Sequence, residues 1–407
     1  MLNITRKIIT VAATGAMLLN TFAPVALADT KITLSGNGSS STNTANVTVD
    51  HTTTVVQSND ATISNDIDSN ASTGGNSAND NTNGDVLIST GDARSKVDVT
   101  TEVNLNKADL DNCNGCNTDI RVNISGNGSY SDNSVELDNS SDTSVFQDNK
   151  ADITNDIDSN AYTGKNDANR NTGGDVTIVT RNATSNVDVR NAANANVAKI
   201  GSGDGSQGSL DATISGNGSY SDNSIDLNHD VSRTLVQDND AYIMNYVDAN
   251  AKTGRNNAND NTGGDVVIAT GDARTNVDVR NLANFNAADL NCGCLTDISA
   301  KISGNGSNST NDITAYLVDS NSVFQDNELD IYNDVDADAK TGKNYANRNT
   351  GPAVGDPTVI LTGNARSDTD VRNTGNVNLF GTGVSFPHDV QLDLSFDLGG
   401  LLGFLHH

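Results

Sequence analysis

The stretch VFQDNKADITNDIDSNA, residues 145–161, decides how the chain is read. Every second residue from Val145 gives Val, Gln, Asn, Ala, Ile, Asn, Ile, Ser, Ala, and the residues between are Phe, Asp, Lys, Asp, Thr, Asp, Asp, Asn. Successive side chains of an extended chain point to opposite sides, so this alternation predicts a strand with an inward face and a largely acidic outward face. The inward face carries three amides, Gln147, Asn149 and Asn155. Burying an amide without a partner is costly, so the strand needs something for them to bond to.

The same pattern returns from Val55, Leu235 and Val323, and it keeps its amides: Gln57, Asn59 and Asn65; Gln237, Asn239 and Asn245; Gln325, Asn327 and Asn333. The segment SGNGS begins at Ser35, Ser125, Ser215 and Ser303, at spacings of 90, 90 and 88 residues. Internal repetition is thus the dominant property of the chain. We divide it into repeats at 29–120, 121–210, 211–300 and 301–378, with an apolar tail at 379–407. Amides that recur on an inner face can bond to one another along a stack, as they do in cross-β ladders. The competing reading is an exposed ribbon with both faces wet.

Residues 1–28 place Arg6 and Lys7 before a short apolar run and end on Ala26-Leu27-Ala28, the pattern of a secretory signal peptide. They contain no Asp or Glu, so removing two cations changes the net charge from −28 to −30. That charge argues against a nucleic-acid binder and favours cations, basic partners or plain solubility. No membrane-spanning segment is expected after signal removal. With 35% hydrophobic and 4% aromatic residues the composition leans toward disorder, and only a repeat that makes each apolar residue count can rescue a fold.

The fold class expected is all-β, with short strands joined by Gly and Asn corners such as TGKNDANRNTGGD, residues 163–175. A repetitive β-solenoid-like array of four repeats suits the amides and the scarce aromatics. Because 90 residues far exceed a typical coil, each repeat is expected to hold several coils. Tandem β-sandwich domains match the period as well.

The outward face carries Asp66 and Asp68, Asp156 and Asp158, Asp248 alone where Tyr246 replaces its partner, and Asp334 and Asp336. Carboxylates two residues apart on a strand lie roughly 7 Å apart, so these are candidate metal ligands, with Ca2+ the candidate cofactor. A solvated acidic face that discourages edge-to-edge aggregation is the alternative. A glycosidase pair is disfavoured, because an enzyme needs one shaped site and these carboxylates recur in each unit. No nucleophile elbow, Walker loop or zinc-protease motif is present, so no enzyme is expected.

Cys113 with Cys116 and Cys292 with Cys294 form two tight clusters. In an exported protein they suggest disulfides, with three connectivities open and redox, metal or intermolecular roles as alternatives. SGNGS also fits the Asn-x-Ser glycosylation pattern at Asn37, Asn127, Asn217 and Asn305, or else a Gly-rich turn. In the tail, Val390, Leu392, Leu394, Phe396 and Leu398 alternate strictly, as in a capping strand or an assembly strand donated to another subunit.

The stretch Gln147-Asp148-Asn149-Lys150-Ala151, its counterparts and the SGNGS units together resemble Asn-, Thr- and Gly-rich repetitive surface proteins of bacteria, and distantly the curlin repeats of amyloid-like fibres. The similarity spans most of residues 32–378, although curlin repeats are far shorter. It implies a secreted, extracellular or cell-surface protein that forms a homo-oligomer or filament, surface layer or matrix. The other reading is a cell-surface adhesin or binding stalk, in which the repeats are a spacer and a surface ligand is the partner.

Overall fold

The strand patterning is realised throughout a computed structural model, which describes residues 9–14, 17–21, 30–110, 119–201, 209–290, 297–351 and 357–381. Two short strands, β1 (Ile9–Thr14) and β2 (Met17–Thr21), precede four similar circuits. The first circuit comprises β3 (Thr30–Ser35), β4 (Thr42–Gly74), β5 (Val86–Ser89) and β6 (Ala93–Leu110). The second has β7 (Ile120–Ser125), β8 (Asp132–Gly164), β9 (Val176–Thr180) and β10 (Ala183–Ile200). The third has β11 (Ser209–Ser215), β12 (Asp222–Lys252), β13 (Val266–Thr270) and β14 (Ala273–Leu290). The fourth has β15 (Asp297–Ser303), β16 (Thr310–Lys340), β17 (Thr358–Leu361) and β18 (Ala365–Phe380).

Each strand pairs in parallel with its counterpart in the next circuit, giving the orders β15-β11-β7-β3, β16-β12-β8-β4, β17-β13-β9-β5 and β18-β14-β10-β6. Both β1 and β2 lie on the outer edge of β6. The register keeps equivalent residues adjacent, as in Gln57, Gln147, Gln237 and Gln325. The architecture is therefore a repetitive parallel β-solenoid-like array, and the tandem sandwich is excluded because the sheets run across repeats rather than within them.

One expectation is corrected. A repeat does not hold several coils; it is one coil, 90 residues in circumference. The reason lies in β4, β8, β12 and β16, which run 31 to 33 residues without Pro and with Gly only as a final residue. Nothing in them breaks the extended chain, whose contour reaches roughly 100 Å.

The long strand forms one wall of the coil, and the two shorter strands β3 and β6, with their counterparts, form the other. Between the walls apolar residues stack by column. Ala45, Val47, Ile120 and Leu137 pack at one end. Ile67, Val97, Val99 and Ile157 pack further along, and Val86, Ile88 and Ala168 fill the far tip. Stacking like on like lets Ala, Val, Ile and Leu build nearly all of the core, with Phe285 the one buried aromatic among the described residues.

Corners stack as closely as strands. Gly164 has φ +109°, and a Cβ there would lie 2.0 Å from the carbonyl oxygen of Gly254 in the next coil. Only glycine meets both demands.

Candidate functional site

The inward amides of the opening stretch bond in columns along the coil axis. Gln147 donates from Nε2 to Gln57 Oε1 at 2.8 Å, Gln237 to Gln147 at 2.8 Å, and Gln325 to Gln237 at 2.7 Å. The Asn column runs in the opposite donor sense, from Asn59 to Asn149, Asn149 to Asn239, and Asn239 to Asn327, at 3.0, 3.0 and 2.9 Å. A third column joins Asn65, Asn155, Asn245 and Asn333 at 2.7 Å per step. In the second coil Gln147, Asn149 and Asn155 are 1%, 0% and 0% exposed, so the wet-ribbon reading fails. In the second coil each of them also bonds across the interior, Gln147 to the Val197 carbonyl at 3.0 Å, Asn149 to Asn196 Oδ1 at 2.8 Å and Asn155 to Asn191 Oδ1 at 3.1 Å. Polar groups enclosed this completely hold one register, because a slip would strand donors on every coil.

The partners on the return wall were not foreseen from the sequence. Asn106, Asn196, Asn286 and Asn378 form one column, with steps of 3.0, 3.1 and 2.9 Å. Asn191, Asn281 and Asn373 form another, with steps of 2.8 Å. In the first coil Thr101 stands at that position, and its hydroxyl is buried without a partner. Two residues before Asn106 and its counterparts lie Asn104, Asn194, Asn284 and Asn376, each in the left-handed region near φ +60°. They flip the inward parity of the strand, from odd numbers at Val97 and Val99 to even numbers at Asn106 and Ala108. This break hid the columns from an alternation search, whereas the 90-residue recurrence of Asn would have revealed them.

The SGNGS asparagines belong to a corner. Asn127 and Asn217 are buried, and each backbone N–H donates to the side chain of the next, Asn127 to Asn217 Oδ1 and Asn217 to Asn305 Oδ1, both at 3.1 Å. Their Nδ2 atoms donate to Asn133 and Asn223 at 2.9 and 3.0 Å, so the turn reading holds and Asn127 and Asn217 are not presented for glycosylation, whereas Asn37 is exposed.

On the outside, Asp68, Asp158, Asp248 and Asp336 stack in one column, and Asp66, Asp156, Tyr246 and Asp334 in the next. Partial burial, followed by the charges of Asp248, Asp156, Asp68 and Asp66, pushes the Asp158 carboxyl above its ordinary pKa. Asp238 is raised in the same way by burial and by Asp148 and Asp326. Among the described residues no three His, Cys, Asp or Glu converge on a site able to hold a metal ion. No helix of the described residues is long and apolar enough to cross a membrane.

The stack has two unlike ends. Among the described residues nothing pairs with the outer edge of β16, and Gln325, Asn327 and Asn333 are only half-buried there. Leu317, Phe324 and Leu361 of this last coil are exposed. At the first coil β1 and β2 cover only β6, leaving the edges of β3, β4 and β5 open among the described residues. Cys113, Cys116, Cys292 and Cys294 lie outside the described residues, as do Val390, Leu392, Leu394, Phe396 and Leu398.

No protein-family model matches the chain, and neither a curated protein nor a solved structure is found to match it.

Proposed function

We propose that this chain is an exported, non-enzymatic structural protein that self-assembles into an extracellular filament, surface layer or matrix. The observation that supports this reading is the contrast between the fourth coil and the coils before it. Amides sealed in the second and third coils are half-buried in the fourth, beside exposed Phe324 and Leu361, on an edge of parallel strands with which nothing pairs among the described residues. Such an edge templates further strands unless it is blocked. The acidic outer face keeps assemblies from fusing sideways through like-charge repulsion. Residues 1–28 serve as the export signal in this reading. Its test is sedimentation and electron microscopy of the purified chain after export. Ordered polymers are expected, whereas dispersed rods at all concentrations would refute assembly and favour the adhesin stalk.

A further inference from the structure

Three outward columns alternate with a period of two coils. Down the first run Asp80, Arg170, Asp260 and Arg348; down the second, Asp92, Asn182, Asp272 and Asn364; down the third, Val56, Phe146, Val236 and Phe324. In the first column Arg170 makes a two-point ion pair with Asp80 at 2.6 and 2.8 Å, and Arg348 repeats it on Asp260 at 2.5 and 2.8 Å. Each guanidinium holds its partner carboxyl below the usual range. In the second column each backbone N–H donates to the side chain of the preceding coil, at 3.0, 2.8 and 2.7 Å.

Four is an even number of coils, so the alternation is left in phase at the ends. The first coil presents Asp80, Asp92 and exposed Val56; the last presents Arg348, Asn364 and exposed Phe324. The geometry points to a head-to-tail join in which the fourth coil of one molecule seats the first coil of a second copy as its fifth. This rests on the self-assembly proposed above and specifies its interface. Arg348, already paired with Asp260, then lies one coil from Asp80 of the next copy, as Arg170 lies one coil from Asp260 and attracts its charge without a direct ion pair. The Asp92 N–H of that copy meets Asn364 Oδ1, and Phe324 meets Val56.

The amides set the same polarity. Every coil donates from its Asn column to the following coil, so Asn327 Nδ2 continues to Asn59 Oδ1 of the next copy. A two-fold join would instead set first coil against first coil or fourth against fourth, with strands antiparallel, so the Asp80 column would not face the Arg348 end of a neighbour. A heterologous join that continues the coil stack advances along the axis instead of closing into a ring, and so generates a filament. Since β1 and β2 occupy the β6 edge that β18 of the neighbour needs, the join requires the residues ahead of 29 to leave.

The test compares processed chain, recovered from an exporting bacterial host, with unprocessed full chain by cryo-electron microscopy and sedimentation. Processed chain is expected to form unbranched polar filaments with one molecule per ~19 Å of axis, four strand spacings of about 4.8 Å. Unprocessed chain is expected to remain unpolymerised.

Asp80→Arg and Arg348→Asp variants each place like charges at the join. Each alone is expected to raise the critical concentration about fivefold to tenfold at low salt. Their equimolar mixture is expected to polymerise like the parent, because every join in an alternating copolymer is then complementary. The internal ion pair that each variant loses is not restored by mixing, so recovery reports on the join alone. Filaments of another repeat, polymers from unprocessed chain, or a mixture that behaves like its components would overturn the join and leave self-assembly standing. Absence of any polymer from processed chain would overturn both, the outcome expected if residues 382–407 cover the fourth coil instead.

Discussion

Replacing Asn149 by Asp changes almost no volume, yet it should be among the most damaging single substitutions in the chain. Asn149 is fully buried and donates from Nδ2 to Asn239 Oδ1, Asn196 Oδ1 and the Ala195 carbonyl, at 3.0, 2.8 and 3.2 Å. Its own Oδ1 accepts from Asn59 and Asn106, both at 3.0 Å. Asp keeps the acceptor and turns the donor into a second anionic oxygen facing three acceptors. An uncompensated buried charge costs about 3–5 kcal/mol, while a protonated carboxyl restores one donor and lowers the deficit to about 1–2 kcal/mol. Burial raises the pKa of the new carboxyl, so the folded state binds the proton more tightly than the unfolded chain. The deficit is therefore largest at pH 7, and it shrinks as pH falls through the folded pKa toward the ordinary carboxylate range. Urea unfolding followed by circular dichroism at pH 7 and near pH 4.5 measures both values. The control is Asn186→Asp, on the outer face in register with Lys96, expected to change stability by less than about 0.5 kcal/mol. Equal losses for the two variants, or a pH-independent loss for Asn149→Asp, would refute a sealed amide interior.

Thr101→Asn supplies the missing member of the Asn191 column, where Thr101 now buries an unpartnered hydroxyl, and should stabilise the fold by about 0.5–1.5 kcal/mol in the same urea assay. Gly164→Ala and Gly342→Ala share a positive φ, +109° and +93°, but the added Cβ meets the Gly254 carbonyl at 2.0 Å in the first case and only Thr362 Cγ2 at 3.7 Å in the second. The Gly342 variant should cost about 1–3 kcal/mol from backbone strain alone, and the Gly164 variant measurably more, with thermal melts of dilute monomer ranking them. Asp158 and Asp238 have carboxyls raised above 3.8, so their contribution is complete below that value and is lost as pH rises through the folded pKa. The contribution of these two carboxyls should therefore grow as pH is lowered from 7, and Asp158→Asn should flatten that dependence while changing stability at pH 7 by no more than a few tenths of a kcal/mol, because solvent screens an exposed carboxylate.

The inward set of residues 145–161 could be read directly, since period-two alternation has one structural meaning and the four copies agreed on its amides. The size of the coil could not. Alternation in the long strand continues through the polar stretch DNSVELDNSSDTS, residues 132–144, where Asn133, Asn139, Ser141 and Thr143 are buried beside Val135 and Leu137. A search keyed to apolar residues ends the strand too early and leaves the repeat looking like several short coils. The return wall escaped notice for another reason: Asn104 and its counterparts shift the parity within a single strand. The paired charges of Arg170 and Asp80 were invisible until stacking brought residues 90 apart into contact.

The claim on which all else depends is that one repeat is one coil. Thr62, Asp152, Tyr242 and Asp330 occupy one outward column, with Thr62 and Asp330 three coils apart. Nitroxides placed at Thr62 and Asp330 through an unnatural amino acid, in chain diluted with unlabelled protein, read that separation by electron paramagnetic resonance. The stack predicts a Cα separation of about 14 Å, while several coils per repeat would set the two residues roughly 40 Å or more apart and contradict it.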